Sequence, residues 1–514
     1  MEGQSTRDSI ISSQNSALLR GCHEISFPQT EDCDDDIPLL VAYTLPSGVI
    51  KTSRGFATGD GLLKARCYVC EEGTWKWEAK NLSGRGIGSG AFSAIDSPLP
   101  GKLRISPRDA RQLQYDSGKW YLNFGDNAFR LFSPEENRWK AYIDQAAQAG
   151  FNRIRANFHI LSPSLLKPDG KRLQLEAWDA LEERLLYALL RHPDIQFELT
   201  LFDGPSELAR FSDGELLAHH AFRYAIERFA PLPNVHWNLS SPISDDDSES
   251  LAAANSAGKS LYESDQWNSL ITLVAKRFES PSLSEERWHS FLSIRSLGQT
   301  TGETLLSERP KIDKPLALAE DRGERHLPAR FPRYYFRRLF WGALLSGGLP
   351  SYRGLNTDAP FDRNRDGIDG YYDACNAGHL KFGAHDLLQI KKFFAETGLS
   401  LEGWKPNDAL SGGNPLLVKS TISSDATQCI AYVANPESFG AHSPDGYDGM
   451  YSDQISDVSS TYTTFTLDLP FTSGSISWFN PTTGEWNGKA EITKSSTTLL
   501  TPTPGDWVVW VQRG

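Results

Sequence analysis

The 514-residue chain lacks an excess of positive charge and any long apolar run. Its 52 Lys and Arg against 65 Asp and Glu give a formal net charge of −13, which repels phosphate backbones and excludes nucleic acid as an expected partner. No run of about 18 apolar residues occurs, so we expect neither a membrane-spanning helix nor a membrane partner. The opening MEGQSTRDSI also lacks the basic and apolar regions of a secretory signal.

Cysteine is scarce as well, and six cysteines in a chain of this length do not predict a disulfide scaffold. Cys67 and Cys70 are spaced like metal ligands, but no second pair follows to complete a zinc site. The pattern of residues 62–70 is that of a strand, which would place the two thiols on opposite faces. We therefore predict no metal site at this pair.

The length predicts two or three domains, and the composition changes along the chain accordingly. Residues 1–36 are rich in Ser, Gln and Asp and are predicted to be a flexible lead-in. Residues 37–103 show short strands between Gly, Ser and Pro turns, which predicts a β-sandwich. The same pattern returns over 411–514 and predicts a second β-sandwich.

Between them, residues 104–410 alternate strands and helices, the pattern of a parallel sheet covered by helices. Strands are predicted at 120–124, 152–156, 196–202, 234–239, 291–294 and 316–319, and helices at 175–191, 214–229, 266–278 and 332–345. A further helix is predicted to start with Ser133 as N-cap, Pro134 at its first position and a capping-box Glu136. Residues 240–260 are predicted to be a polar insertion, and one strand of eight is not visible between 278 and 288. The pattern predicts an α/β fold between two β-sandwiches, either a (β/α)8 TIM barrel or an open parallel sheet.

Several sequence segments at predicted strand ends carry a family resemblance. They are GTWKW at 73–77, YLNFGDNAFRL at 121–131, GFNRIRAN at 150–157, LFD at 201–203, PNVHW at 233–237, KPLALAE at 314–320, WGALLSGG at 341–348 and WFNPTTGEW at 478–486. In this order, over about residues 38–514, the chain resembles the apiosidase-like clan A glycoside hydrolases. These carry an N-terminal β-sandwich, a barrel and a C-terminal β-sandwich labelled collagen-binding.

Glu320 is the strongest candidate for a catalytic carboxylate. It ends an apolar predicted strand, where packing calls for no charge, and catalytic groups of barrels lie at the C-terminal ends of strands. A salt-bridge role is the competing interpretation. The resemblance implies that Glu320 is the nucleophile and that Glu324, four residues later, matches a second family glutamate. Glu324 could equally orient Arg322 or Arg325; Arg322 and Glu324 are predicted substrate contacts.

Glycoside hydrolysis normally needs a second carboxyl group, and its identity stays open. Relatives place Asp or Glu a few residues after the Trp of the fourth strand, whereas Pro242 occupies that position here. Proline cannot transfer a proton, so a neighbour replaces it, the chemistry differs, or the barrel binds sugar without hydrolysing it. The candidate replacements are Asp203, after the third strand, and the run Asp245, Asp246 and Asp247, with turn and solvated-loop roles as their alternatives.

Other polar and aromatic residues at the predicted strand ends would suit sugar hydroxyls or stack on sugar rings. A lone His such as His159 is more often a substrate contact than a proton donor. For Trp341, core packing is the competing interpretation. The predicted substrate-binding residues are Asp126, Asn127, Arg155, Asn157, His159, Trp237, Asn238, Arg322, Glu324, Trp341 and Tyr352.

A separate motif, DRNRDGIDGYYD at 362–373, has the spacing of a calcium loop. The predicted ligands are Asp362, Asn364, Asp366, Ile368 and Asp373. Asp instead of Glu at the last position and Asp369 where an apolar residue is usual depart from the motif, so an Asp/Gly-rich turn is the alternative. We expect no cofactor to be required and calcium to be a structural ion.

These patterns predict a glycoside hydrolase that acts on a plant or algal poly- or oligosaccharide from chain ends. The alternative is a non-catalytic carbohydrate-binding protein with a degenerate barrel site, and a matrix-adhesion role of the C-terminal region is a third. The resemblance implies a secreted or periplasmic protein, while the start of the chain is equally compatible with the cytoplasm. The sequence leaves the sugar, the linkage, the stereochemistry and the oligomeric state open.

Overall fold

The structure is a computed structural model. It describes residues 10–13, 15–29, 39–81, 83–134, 137–244, 246–275, 283–321, 333–353, 384–435 and 460–514. All structural observations concern these residues.

The N-terminal region consists of short strands in two sheets. The strands are β1 (Ile11–Ser12), β2 (Ser16–Leu18), β3 (Cys22–Pro28), β4 (Leu40–Thr44), β5 (Ile50–Arg54), β6 (Phe56–Ala57), β7 (Leu62–Tyr68), β8 (Gly73–Lys80) and β9 (Gly86–Ile95). One sheet has the order β1-β3-β7-β6 and the other β2-β9-β8-β4-β5. The sheets share a core, in which His23 stacks on Phe92 with ring centroids 3.9 Å apart.

The prediction of a flexible lead-in over 1–36 is wrong for the part that forms β1, β2 and β3. β3 pairs with β7 from Cys22 opposite Tyr68 to Pro28 opposite Leu62. Cys22 and Ile25 are buried, so polar neighbours hid a strand that has one apolar face. Cys67 is buried and Cys70 is exposed, which agrees with their predicted opposite faces.

A hairpin of β10 (Leu103–Ile105) and β11 (Leu113–Tyr115) leads into the central region. The central strands are β12 (Gly125–Asn127), β13 (Arg153–Asn157), β14 (Gln196–Phe202), β15 (Val235–Ser240), β16 (Ile271–Thr272), β17 (Val274–Ala275), β18 (Leu292–Arg295), β19 (Leu316–Glu320), β20 (Gly348–Leu349) and β21 (Ser351–Tyr352). The helices are α1 (Trp139–Gln148), α2 (Leu175–Arg191), α3 (Pro205–Ser212), α4 (Leu216–Phe229), α5 (Ser248–Ser264), α6 (Glu303–Glu308), α7 (Arg333–Leu345) and α8 (Leu387–Thr397).

All central strand pairs are parallel. One sheet has the order β16-β15-β14-β13-β12-β21 and the other β17-β18-β19-β20. Only Leu273 separates β16 from β17, and only Pro350 separates β20 from β21. Pro350 has no N–H to continue a ladder, and its carbonyl oxygen instead accepts from the Asn123 side chain at 2.5 Å. The region is therefore a mixed α/β arrangement of parallel strands alternating with helices.

Four predicted central elements differ from the structure. The strand predicted at 120–124 lies instead at Gly125–Asn127, as β12. α1 begins at Trp139 rather than after Ser133, and Arg138 at its N-cap makes no side-chain capping bond. The predicted insertion at 240–260 contains α5, which Asp247 caps by accepting from the Ser250 amide at 3.0 Å. The helix predicted at 266–278 is wrong, because β16 and β17 lie there and supply the strand that the sequence concealed.

The C-terminal region is again made of strands. They are β22 (Trp404–Pro406), β23 (Val418–Ser423), β24 (Gln428–Val433), β25 (Thr464–Asp468), β26 (Gly474–Phe479), β27 (Trp486–Ile492), β28 (Ser496–Leu500) and β29 (Trp507–Arg513). One sheet has the order β22-β23-β24-β29-β26-β27, and β25 pairs with β28. Trp478 and Trp507 meet edge to face in their shared core, with centroids 6.1 Å apart.

Buried ion networks join both outer regions to the central helices. The N-terminal ion cluster consists of Glu24, Lys64, Arg66, Asp179, Glu182 and Arg228. The C-terminal ion cluster consists of Arg337, Arg338, Asp386, Tyr432 and Asp506. None of the described helices is long and apolar enough to cross a bilayer.

Candidate active site

The central strands carry two rows of polar side chains. Their register places Asn127, Arg155, Glu198 and His236 side by side, and Asn157, Thr200, Asn238 and Thr272 two positions closer to the strand ends. Residues two apart on a strand share a face, so both rows lie on one face of the sheet. Contacts between neighbouring strands, such as Asn238 Nδ2 donating to Thr200 Oγ1 at 3.0 Å, support this arrangement.

Glu320 ends β19 on the same side and is almost fully buried, with 5% of its surface exposed. Arg155 Nη1 donates to Glu320 Oε1 at 2.9 Å. Arg295 Nε lies 3.2 Å from Oε2, and Arg353 Nη1 lies 3.7 Å from the same oxygen. Three guanidinium groups from different strand ends therefore surround one carboxylate.

Glu198 lies deeper, in the first row, and is 1% exposed. Its carboxylate oxygens lie 3.8 Å from Arg153 Nη1, 3.5 Å from Arg155 Nε and 3.6 Å from His236 Nε2. Burial acts to raise the pKa of Glu198, but Arg153, His236 and Arg155 outweigh it and lower that pKa to about 2. Arg155 consequently bridges the two buried glutamates.

Asp203 and His159 form a second polar pair at the ends of β14 and β13. His159 Nε2 lies 3.8 Å from Asp203 Oδ1, and the Asp203 side chain is 64% exposed. Burial lowers the pKa of His159, and the Asp203 charge only partly offsets this. His159 has a φ of 43°, a left-handed conformation that re-aims its ring. Asp203 is thus the accessible carboxylate of the predicted set.

Glu207, in the first turn of α3, was not predicted. Its carboxylate accepts from the Asp203 amide at 2.7 Å, the geometry of a capping glutamate. Burial raises the pKa of Glu207, although that hydrogen bond partly offsets the effect. The sequence did contain a signal, because Glu207 is the third residue of a helix that Gly204 and Pro205 open.

Asp126 and Asn127 do not present their side chains at the surface, contrary to prediction. Both are about 1% exposed. Tyr142 donates its hydroxyl to Asp126 at 2.6 Å, and Asn127 donates to the backbone oxygens of Ala319 at 3.0 Å and Tyr352 at 3.3 Å. They connect β12 to its neighbours and fix the end of β19, and their direct contact with a sugar stays a prediction.

The three predicted stacking rings are also fully buried. Trp237 donates its indole N–H to Asp265 at 3.2 Å, and Tyr352 stacks on Phe151 with centroids 5.3 Å apart. Trp341 stacks on Tyr432 of the C-terminal region, with centroids 6.0 Å apart. A ring without an exposed face cannot stack on a sugar, so the stacking prediction is wrong for all three.

Asn157 and Asn238 remain near the strand ends as predicted. Asn157 is half-buried, and its backbone amide donates to the Phe129 carbonyl at 3.0 Å. Asn238 is buried, and its Oδ1 accepts no hydrogen bond within the described part of the chain. Of the Asp run beyond Pro242, Asp246 accepts from Ser244 and Asp247 caps α5, which are loop and helix-end roles.

Several predicted residues lie outside the described residues. They are Asp245, Arg322, Glu324, Asp362, Asn364, Asp366, Ile368 and Asp373. Within the described ranges, no group of three His, Cys, Asp or Glu side chains could hold a metal ion. The calcium loop stays a prediction.

Sequence reasoning missed Glu198, Arg295 and Arg353. Charged residues at strand ends are usually solvated, which hid the two arginines. Glu198 did leave a signal, because a charge inside the apolar run QFELTLF at 196–202 must be buried and therefore needs partners.

No family model matches the chain, and no curated protein matches it. Solved structures do. A candidate glycoside hydrolase from Bacteroides vulgatus superposes with a TM-score of 0.72 at 14% identity, covering 98% of this chain and 100% of the other. A family 5 glycoside hydrolase from the same species gives 0.61 at 15% identity, covering 81% and 95%. A further glycoside hydrolase gives 0.60 at 14% identity, covering 81% and 99%. The chain shares its fold with these proteins.

Proposed function

We propose that the chain is a glycoside hydrolase and that its central strands close into a (β/α)8 barrel. Support for closure comes from the pairings, since β21 pairs with β12 while β20, one residue earlier, pairs with β19. β16 and β17 join the two sheets at the other end in the same way. The paired sheets on either side would be the β-sandwich domains that such enzymes carry.

The observation that carries the proposal is the position of Glu320. It ends a parallel strand, where barrel enzymes place their catalytic groups, and Arg155, in the middle of β13, donates a hydrogen bond to it. In this proposal Glu320 acts as the nucleophile or as the base that activates water. The Arg155 hydrogen bond would keep one carboxylate oxygen fixed while the other meets the anomeric carbon or the water.

A glycosidase also needs a group that protonates the leaving oxygen. Asp203 is the favoured candidate because it is exposed and lies beside His159. Asp245 remains a second candidate, and Glu207, whose pKa burial raises, lies next to Asp203. The fold of the similar structures supports a carbohydrate substrate; action from chain ends of plant or algal saccharides, a structural calcium ion and a secreted or periplasmic location are proposals from the sequence resemblance.

The alternative is a carbohydrate-binding protein without turnover. Pro242 favours it, because proline occupies the position where relatives carry the acid. Three arginines around Glu320 are also compatible with a site that holds an anion without reacting.

The test is sugar release from aryl glycosides and plant and algal oligosaccharides by wild type, Glu320→Gln and Glu308→Gln. Glu308, the last residue of α6, is a matched control, since it is equally buried but pairs with Lys311. We expect Glu320→Gln to lose at least about 1000-fold in kcat, roughly 4 kcal/mol in the activation barrier. Glu308→Gln should remain within about twofold of wild type.

Turnover that survives Glu320→Gln would contradict the assignment of Glu320. Saturable binding of a saccharide in calorimetry, with no turnover of any substrate by wild type, would favour the binding-protein alternative.

A further inference from the structure

Among the described residues, the candidate site has more positive than negative charge within ion-pair distance. Arg153, Arg155 and Arg295 supply three positive charges, and Glu198 and Glu320 supply two negative charges. This local excess contrasts with the net charge of −13 of the whole chain. Arg155 already holds Glu320 through a hydrogen bond, so a further guanidinium group beside the same carboxylate calls for another explanation.

Arg295 differs from Arg155 in the way it uses its donors. Arg155 is 2% exposed and already bridges Glu198 and Glu320. The Arg295 side chain is 42% exposed, and its Nε lies 3.2 Å from Glu320 Oε2. It makes no hydrogen bond to any described residue, so the donors at the end of its guanidinium remain available to a ligand.

The position of Arg295 fixes which ligand it would meet. It follows β18 and pairs in register with Glu320, which lies under the reacting sugar if Glu320 is the nucleophile or base. An arginine beside that carboxylate would contact substituents of the same sugar unit. Guanidinium matches planar or tetrahedral oxyanions with two parallel hydrogen bonds, whereas single hydroxyl groups do not use this geometry.

We propose that Arg295 binds an acidic substituent, a carboxylate or a sulfate ester, on the sugar unit next to Glu320. The ligand class is thus an acidic saccharide. This inference rests on the proposed function for the placement of the sugar, but binding can be measured without turnover. If Arg295 only neutralises Glu320, acidic and neutral sugars would bind equally well.

The experiment is calorimetric titration of the full chain with three groups of oligosaccharides. These are oligomers of glucuronate, galacturonate and mannuronate, oligomers of the corresponding neutral hexoses, and sulfated galactose oligomers. Wild type is compared with Arg295→Gln and with Arg111→Gln. Arg111→Gln is a matched control, because it removes an equivalent charge from the ion pair between Arg111 and Asp313, which precedes β19.

We expect wild type to bind at least one acidic oligomer at least about tenfold more tightly than its neutral counterpart, as one charge-assisted hydrogen bond allows. Arg295→Gln should lose that preference, and Arg111→Gln should keep it. The uronate and sulfated groups separate the two sources of negative charge, and preference for either supports the proposal.

Equal affinity for acidic and neutral oligomers, no binding of any acidic oligomer, or a preference that persists in Arg295→Gln would overturn the proposal. These outcomes are distinct from failure of the proposed function. Hydrolysis of neutral sugars alone would leave the glycosidase intact and remove the acidic ligand. Selective binding of acidic oligomers through Arg295 without hydrolysis would support the acidic ligand and contradict the glycosidase.

Discussion

The N-terminal ion cluster and the Glu320 site both hold a buried glutamate between arginines. They differ in the balance of positive and negative charge and in the distances between the charged groups. In the N-terminal ion cluster, Arg66, Arg228 and Lys64 match Glu24, Glu182 and Asp179 in charge. Arg66 donates hydrogen bonds to both carboxylate oxygens of Glu182, at 2.6 and 3.1 Å. Among the described residues of the site, cations exceed anions, and Glu198 has its partners at 3.5 to 3.8 Å.

This difference distinguishes a structural network from a site prepared for a ligand. Buried charges are tolerated when partners and hydrogen bonds satisfy them, as in the N-terminal ion cluster. Around Glu198, the carboxylate oxygens and Arg153 Nε make no hydrogen bond to any described residue. Tight, balanced clusters should therefore control stability, and the loose, unbalanced one should control binding and turnover.

The largest stability effect is expected for Glu182→Gln, which leaves Arg66 and Arg228 buried without their shared carboxylate. Breaking a buried ion pair from one side costs about 3–5 kcal/mol. Urea unfolding should show this loss, with the transition followed by tryptophan fluorescence. Glu183→Gln is the control, since Glu183 is exposed and pairs with Lys140 at the surface, and it should change stability by less than about 0.5 kcal/mol. Equal effects of the two variants would break the comparison.

A second prediction concerns the stability of the protein at low pH. Burial acts to raise the pKa of Glu182, but Arg228 and Arg66 outweigh it and lower that pKa to about 2. A carboxyl group with a lowered pKa stabilises the fold above its unfolded pKa, and that stability is lost as pH falls towards the folded value. The free energy of unfolding should thus fall between about pH 5 and pH 2, by on the order of 3 kcal/mol from this group. The melting temperature, measured over the same pH range, should fall with it. In Glu182→Gln the dependence should be shallower, and an unchanged slope would contradict the role of Glu182.

Sequence patterns found the central strands best where the apolar run was long. β14 matches its predicted bounds at 196–202, and Glu320 was identified because a charge followed the apolar run of β19. β16 and β17 were missed because NSLITLVAKRF at 268–278 is a short apolar run that fits a helix and a strand equally well. Local pattern cannot separate these states without the neighbouring strands.

The site was predictable residue by residue only in part. Glu320 and Arg155 were found, and the structure brings them together. Trp237, Trp341 and Tyr352 were assigned to sugar stacking because aromatic residues at strand ends suit both roles, and burial decides between them. Arg295 was missed because its relation to Glu320 depends on the pairing of β18 with β19, a long-range contact that residue spacing does not reveal.

A smaller stability effect than that of Glu182→Gln is expected for Glu320→Gln, and it sharpens the comparison most. The variant removes a carboxylate from three arginines, as Glu182→Gln removes one from two, but the half-exposed Arg295 can turn towards water. We therefore expect a loss of about 1 kcal/mol or less, within the range of ordinary substitutions, together with the loss of turnover. The same urea titration measures it beside Glu182→Gln. A cost as large as that of Glu182→Gln would mean that the Glu320 cluster, too, is built for stability, and its excess positive charge would then no longer indicate a ligand.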